Sequence, residues 1–107
     1  VTALEALDLA RLDELLHDCD PRAGLWFAVG WANAATWEAH GRGHPVQRAL
    51  DVTYWETRTL EPGSCDSNEY LGALQQRLRG ALAEFPDLHA CVRGAIERAL
   101  GFIERLV

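Results

Sequence analysis

A chain of 107 residues with 49% apolar and 24% charged residues has the composition of an ordinary globular domain, which argues against disorder and for a single domain over 1–107. The formal net charge is −6 and all ten basic residues are arginines scattered along the chain, so nucleic acid and anionic membranes are disfavoured as partners. Cys19, Cys65 and Cys91 are an odd, widely spaced set that disfavours a disulfide framework. No stretch combines a charged start, an apolar middle and a small-residue cleavage site, so a reducing cytoplasm is the expected compartment.

Thr2-Ala3-Leu4-Glu5 has the form of a capping box, which predicts a first helix from Thr2 to about Asp18. Its cleaner half begins at Asp8, where Leu9, Leu12, Leu15 and Leu16 share an arc opposite Asp13, Glu14 and His17. Asp20 can cap the next helix, with Pro21 suited to its first position.

That second helix, about 22–40, is the centre of the chain. Ala23 to Trp37 carries no charge and holds three of the four tryptophans. At about 100° per residue, Trp26, Gly30, Asn33, Trp37 and His40 fall on one side and Phe27, Trp31, Ala34 and Glu38 on another. Leu25, Ala28, Val29 and Ala32 cover much of the rest. A helix apolar all round is expected to be enclosed on most faces. The run falls short of the roughly 20 residues that span a bilayer, so protein is its expected surroundings.

Gly41-Arg42-Gly43-His44-Pro45 reads as a turn with Gly41 just past the helix end. A third helix from Pro45 to about Leu60 places Val46, Ala49, Leu50, Thr53, Thr57 and Leu60 inward. Trp55 falls on the opposite side, among Arg48, Asp51 and Thr59. After the loop Glu61–Asp66, a fourth helix capped by Asp66 or Ser67 carries the stripe Tyr70, Leu71, Leu74, Leu78, Ala81, Leu82 and Phe85, and Pro86 interrupts it. The last helix, from about Asp87 to Leu106, turns Leu88, Val92, Ala95, Ile96, Ala99, Phe102, Ile103 and Leu106 inward. With no period-two alternation and no hairpin signal, the expectation is all-α: a compact bundle of four to five mainly antiparallel helices around the Trp-rich second helix.

Two constellations carry the functional expectations. Asn33, Trp37, Glu38, His40 and His44, at the far end of the central helix, are the candidates for a pocket that takes a small aromatic or polar ligand. The structural alternative is that Asn33 bonds across the bundle and His40 sits in the last turn, favoured there by the helix dipole. His40 and His44 are four apart, but the glycines and proline between and after them argue against a shared helical metal site, and no metal or cofactor is expected. His17-Asp18-Cys19 and His89-Ala90-Cys91 repeat a His-x-Cys pattern, yet residues two apart on a helix point about 200° apart and cannot aim at one ion.

The second constellation is surface. Trp55 on a polar helix side, with Trp26 and Trp31 on a helix that has more apolar faces than a small bundle covers, suggests an interface. No phosphate loop, nucleophile elbow or metal box is present. The leading expectation is therefore a non-catalytic interaction protein that associates with itself or another protein. The rival is a small-molecule binder or minor enzyme using the pocket at the end of the central helix.

Overall fold

The computed structural model describes residues 7–58 and 68–106, and over these the chain forms five α-helices and no strand. They are α1 (Leu9–Leu16), α2 (Pro21–His40), α3 (Val46–Arg58), α4 (Asn68–Glu84) and α5 (Ala90–Leu106). The capping box at Thr2, the loop Glu61–Asp66 with Cys65, and the positions of Thr59, Leu60 and Ser67 lie outside the described residues.

The helix starts follow from local chemistry. Asp8 is extended (φ −120°, ψ 98°) and its carboxylate accepts the Arg11 N–H, so α1 begins there. A continuous helix from Thr2 to Asp18 is thereby ruled out: Asp8 competes for the start of the leucine stripe and its side chain holds the first turn. Asp20 caps α2 by accepting from the N–H groups of Arg22 and Ala23 at 3.0 and 2.9 Å, with Pro21 following it. Gly41 ends α2 at φ 77° while its N–H returns to the Trp37 carbonyl. That backbone is costly for any residue with a Cβ. The start of α5 falls at Ala90, three residues after Asp87, because the His89 ring takes the Cys91 N–H and the preceding Leu88 N–H turns back to the Phe85 carbonyl.

Helices α2 and α5 form the central pair. Helix α3 flanks α2, α4 closes the bundle between α3 and α5, and α1 lies across α2 and α5. Both central helices bury small side chains (Ala28, Ala32 and Ala35; Ala95 and Ala99), and Gly24 of α2 is pressed against the Phe102 ring of α5. The α4 stripe reads as expected, with Leu71, Leu74, Leu78 and Ala81 buried and Tyr70, Leu82 and Phe85 at its margins. In α1 only Leu12 and Leu16 are buried; Leu15 faces outward. Ion pairs join neighbours at the rim: Arg98 of α5 with Asp13 of α1, and Arg77 of α4 with Glu56 of α3. The hydrogen bond from Arg98 holds the Asp13 carboxyl below its ordinary value of 3.8. The buried hydroxyls are satisfied: Thr36 donates to the Ala32 carbonyl, Thr57 to the Tyr54 carbonyl, and Thr53 accepts from Arg77. Among the described residues no helix is long and apolar enough to cross a membrane.

Candidate functional site: an aromatic groove on the outer face of α2

The fold encloses α2 on about half of its circumference. Gly24, Leu25, Ala28, Val29, Trp31, Ala32, Ala35 and Thr36 are buried. Ala23, Trp26, Phe27, Gly30, Asn33, Ala34, Trp37 and Glu38 make up the opposite half, and none of them is buried. Enclosure on most faces is thus not what the bundle provides. Helices α1, α3 and α5 cover one side of α2, and its outer side stays apolar and open.

That outer side is concave. A groove of about 340 Å³ is lined by Trp26, Phe27, Gly30, Trp31, Asn33, Ala34 and Trp37 of α2 and by Tyr54 of α3. Tyr54 reaches it because residue 30 is glycine: a Cβ there would sit 3.1 Å from Tyr54 Cε2. The Tyr54 ring lies 5.8 Å from that of Trp26, and Phe27 lies 5.9 Å from Trp31. Asn33 links α2 to α3 by donating from Nδ2 to Asp51 Oδ1 at 2.6 Å. A carboxylate only accepts, so the amide nitrogen must face it and Asn33 Oδ1 is turned elsewhere. Among the described residues four buried side-chain polar atoms have no hydrogen-bond partner: Gln47 Nε2, away from the groove, and Asn33 Oδ1, Trp26 Nε1 and Trp31 Nε1. The last three belong to side chains that line this one groove.

The predicted pocket residues divide between two places. Asn33 and Trp37 belong to the groove, and Trp37 is 49% exposed with the Arg42 guanidinium 5.0 Å from its ring centre. Glu38 is exposed and does not line the groove. His40 and His44 are elsewhere, at a junction of three helix ends. His40 Nε2 accepts the His89 N–H at 2.9 Å, and His44 Nδ1 accepts the Val46 N–H at 3.1 Å at the start of α3. Their rings are 4.8 Å apart, and the His44 ring meets Phe85 edge-on at 5.2 Å. Among the described residues no group of three or more His, Cys, Asp or Glu side chains is arranged to hold a metal ion. In the His-x-Cys pairs, Cys91 is buried and donates to the Leu7 carbonyl, while Cys19 donates to Leu15. Burial raises the Cys91 thiol above its ordinary value, with the Asp8 charge adding to it.

The interface candidates also divide. Trp55 is 57% exposed and stands edge-on to Tyr54 at 5.5 Å, beside the groove. Trp26 is half-buried in the groove wall, whereas Trp31 is 1% exposed and belongs to the core as much as to the groove. Val52, one turn before Trp55, is 47% exposed. Tyr54 and Phe27 were not singled out by the sequence. A glycine in mid-helix at position 30 was the available signal, since it marks a close approach by something outside the helix.

The histidine junction has its own pH signature. Burial lowers the His40 pKa below its ordinary 6.5, and the charges of His44 and His89 lower it further. The unfolded chain then binds this proton more tightly than the folded one, so stability rises with pH across the interval. The contribution is complete above about pH 6.5 and is lost as the pH falls from there towards the lowered folded value. Protonation also removes the lone pair that accepts the His89 N–H. The melting temperature is expected to fall between about pH 7.5 and about pH 5, and His40→Gln to flatten that fall. Parallel curves for the two proteins would exclude His40 as the group responsible. The Asp13 contribution is lost only in more acidic solution, below its ordinary 3.8.

No protein-family model matches the chain, and no curated protein or solved structure matches it either.

Proposed function

We propose that the chain is a non-catalytic interaction protein that binds a protein surface through the outer face of α2 and the adjoining side of α3. The observation that carries this reading is the placement of Trp37 and Trp55, each about half exposed, at and beside a groove already lined by aromatic rings. Large apolar side chains gathered into one patch mark association sites, and tryptophan is prominent among the residues that dominate binding energy. A concave apolar strip on a helix also suits a helix or projecting side chain from a partner.

Native mass spectrometry of the protein as purified, beside its denatured mass, tests the reading. A complex is expected, and the double substitution Trp37→Ser with Trp55→Ser should weaken it by tenfold or more, about 1.4 kcal/mol or above. Both side chains are half exposed, so the melting temperature should move little. A complex that survives the double substitution unchanged would sink the reading.

A second reading is favoured by one observation. Trp26 Nε1 and Trp31 Nε1 are buried donors with no acceptor among the described residues. A flat small molecule bearing a carbonyl or ring nitrogen would supply one, at a site that matches small-ligand pockets in size and apolar lining. Its mark in the same spectra is a small extra mass that leaves on denaturation.

A further inference from the structure

We infer that the junction of His40, His44 and His89 is an acid-released latch on two helix starts: three neutral imidazoles hold the first turns of α3 and α5, and proton uptake frees both turns while the α2–α5 pair stays folded.

Each of the three rings accepts a backbone N–H. His44 Nδ1 takes that of Val46 and His89 Nδ1 that of Cys91, both at 3.1 Å, and His40 Nε2 takes that of His89 itself at 2.9 Å. His44 and His89 stand just before the helices they serve: the His44 carbonyl accepts from Gln47 and the His89 carbonyl from Arg93. In both, the ring satisfies an N–H of the first turn, which has no partner inside the helix. Asn, Ser or Thr would do the same at any ordinary pH. Histidine does so only as the neutral ring, because an imidazolium carries a proton on both nitrogens and accepts nothing. His40 ties the two caps together, bonded to the His89 N–H and with its ring 4.8 Å from that of His44. Three of the chain's four histidines thus act as acceptors at one place.

The electrostatics of the junction favour release. His44 and His89 are at helix N-termini, where the macrodipole disfavours a cation, and a charge on one ring repels charge on the next. The α2 dipole favours a cation at His40, in the last turn, whereas burial and the two neighbouring rings act against it. The adjoining segments add Arg42 from the turn, Arg48 from α3 and Arg93 from α5, whose guanidinium is held by the Phe85 and Pro86 carbonyls. They also bring Glu38 of α2, Glu84 of α4 and Asp87 before α5, all exposed. Among the described residues no carboxylate bonds to any of the three rings. The α2–α5 contact is made by groups that acid leaves alone, among them Ala28, Ala32, Ala35, Ala95 and Ala99. The latch therefore opens as the pH falls through the interval in which histidine gains its charge, roughly pH 8 to 5.

Amide exchange measured by NMR at about pH 7.5 and about pH 5, each rate divided by that of an unstructured peptide, tests the latch. Protection at Val46, His89 and Cys91 should fall at least tenfold between the two, while Ala32 and Ala99 keep theirs. A fall shared by all five amides would mean global unfolding and would overturn the inference, as would no fall in the wild type. His44→Asn and His89→Asn each install a cap whose acceptor does not titrate. Val46 should then stay protected at about pH 5 in the first variant and Cys91 in the second. Losses equal to those of the wild type would show that the rings are not the latch. Should either variant fail to fold, the position takes Asp, which is still a carboxylate at about pH 5. The imidazole nitrogen shifts at about pH 7.5 give an independent readout. They should place the proton on Nδ1 of His40 and on Nε2 of His44 and His89, and a His40 ring protonated on Nε2 would refute its bond to His89.

Discussion

Replacing Trp31 with alanine is expected to destabilise the bundle by about 3–5 kcal/mol, the range for deleting a buried aromatic side chain. Trp31 is 1% exposed, heads the fully buried side chains by size, and lies against Phe27. A loss of that size is a large part of the roughly 5–15 kcal/mol by which folded domains are stable. It should appear as a lower urea midpoint with little change in slope. Trp31→Phe separates the ring from its polar atom. The indole N–H has no acceptor among the described residues, so removing it relieves an unpaired buried donor while most of the apolar contact is kept. The phenylalanine variant keeps one ring and leaves a smaller cavity, so it is expected to lose clearly less stability than the alanine variant. Equal losses in the two variants would mean that the retained ring contributes nothing and that the part of the indole absent from phenylalanine holds Trp31 in place.

The next largest effect is expected at Gly24, and its sign is the informative part. On an open helix surface glycine-to-alanine gains up to about 1 kcal/mol. At Gly24 the new methyl would stand 2.5 Å from Phe102 Cε1 and 2.7 Å from Cε2, well inside van der Waals contact, against a ring that is itself buried. Forced repacking of that kind costs about 1–3 kcal/mol, which exceeds the propensity gain. Gly24→Ala should therefore lower the melting temperature. Gly80→Ala on α4, where a Cβ meets nothing within 4 Å, should raise it. The same sign at both positions would show that α2 and α5 are not held as closely at Gly24 as the structure has them.

The elements that local chemistry specifies were legible in the sequence. Asp20-Pro21 opens α2 and Gly41 closes it, each through bonds within a few residues. Trp55 opposite Thr53 and Thr57 follows from the turn angle alone, and the exposure of the one and burial of the others agree with it. What failed to read was which side of α2 is open. Amphipathic periodicity finds a core by contrast with a polar face, and α2 has almost none: Ala28 and Ala34 look alike in the sequence, yet one faces the core and the other the groove. Tyr54 was missed for a related reason. Whether it or a neighbour closes over α2 depends on the rotation of α3, which follows from contacts between residues far apart in sequence, such as the burial of Val46, Leu50 and Thr53 and the Asn33–Asp51 bond across eighteen positions. His40 shares a helix side with Asn33 and Trp37, but its ring is directed to an N–H at His89, forty-nine positions away. No local pattern records such a pairing.

The division of α2 into two half-cylinders separates two kinds of selective constraint on one helix. Substitutions at Leu25, Ala28, Val29, Ala32 or Ala35 act on folding, because these side chains have no access to anything outside the bundle. Those at the exposed Ala23 and Trp37 lie outside that interior and act mainly on what the molecule meets. A helix arranged in this way can drift towards new binding partners without passing through unfolded intermediates. It also gives an engineer a strip of positions to randomise on a scaffold whose own stability is written on the opposite side.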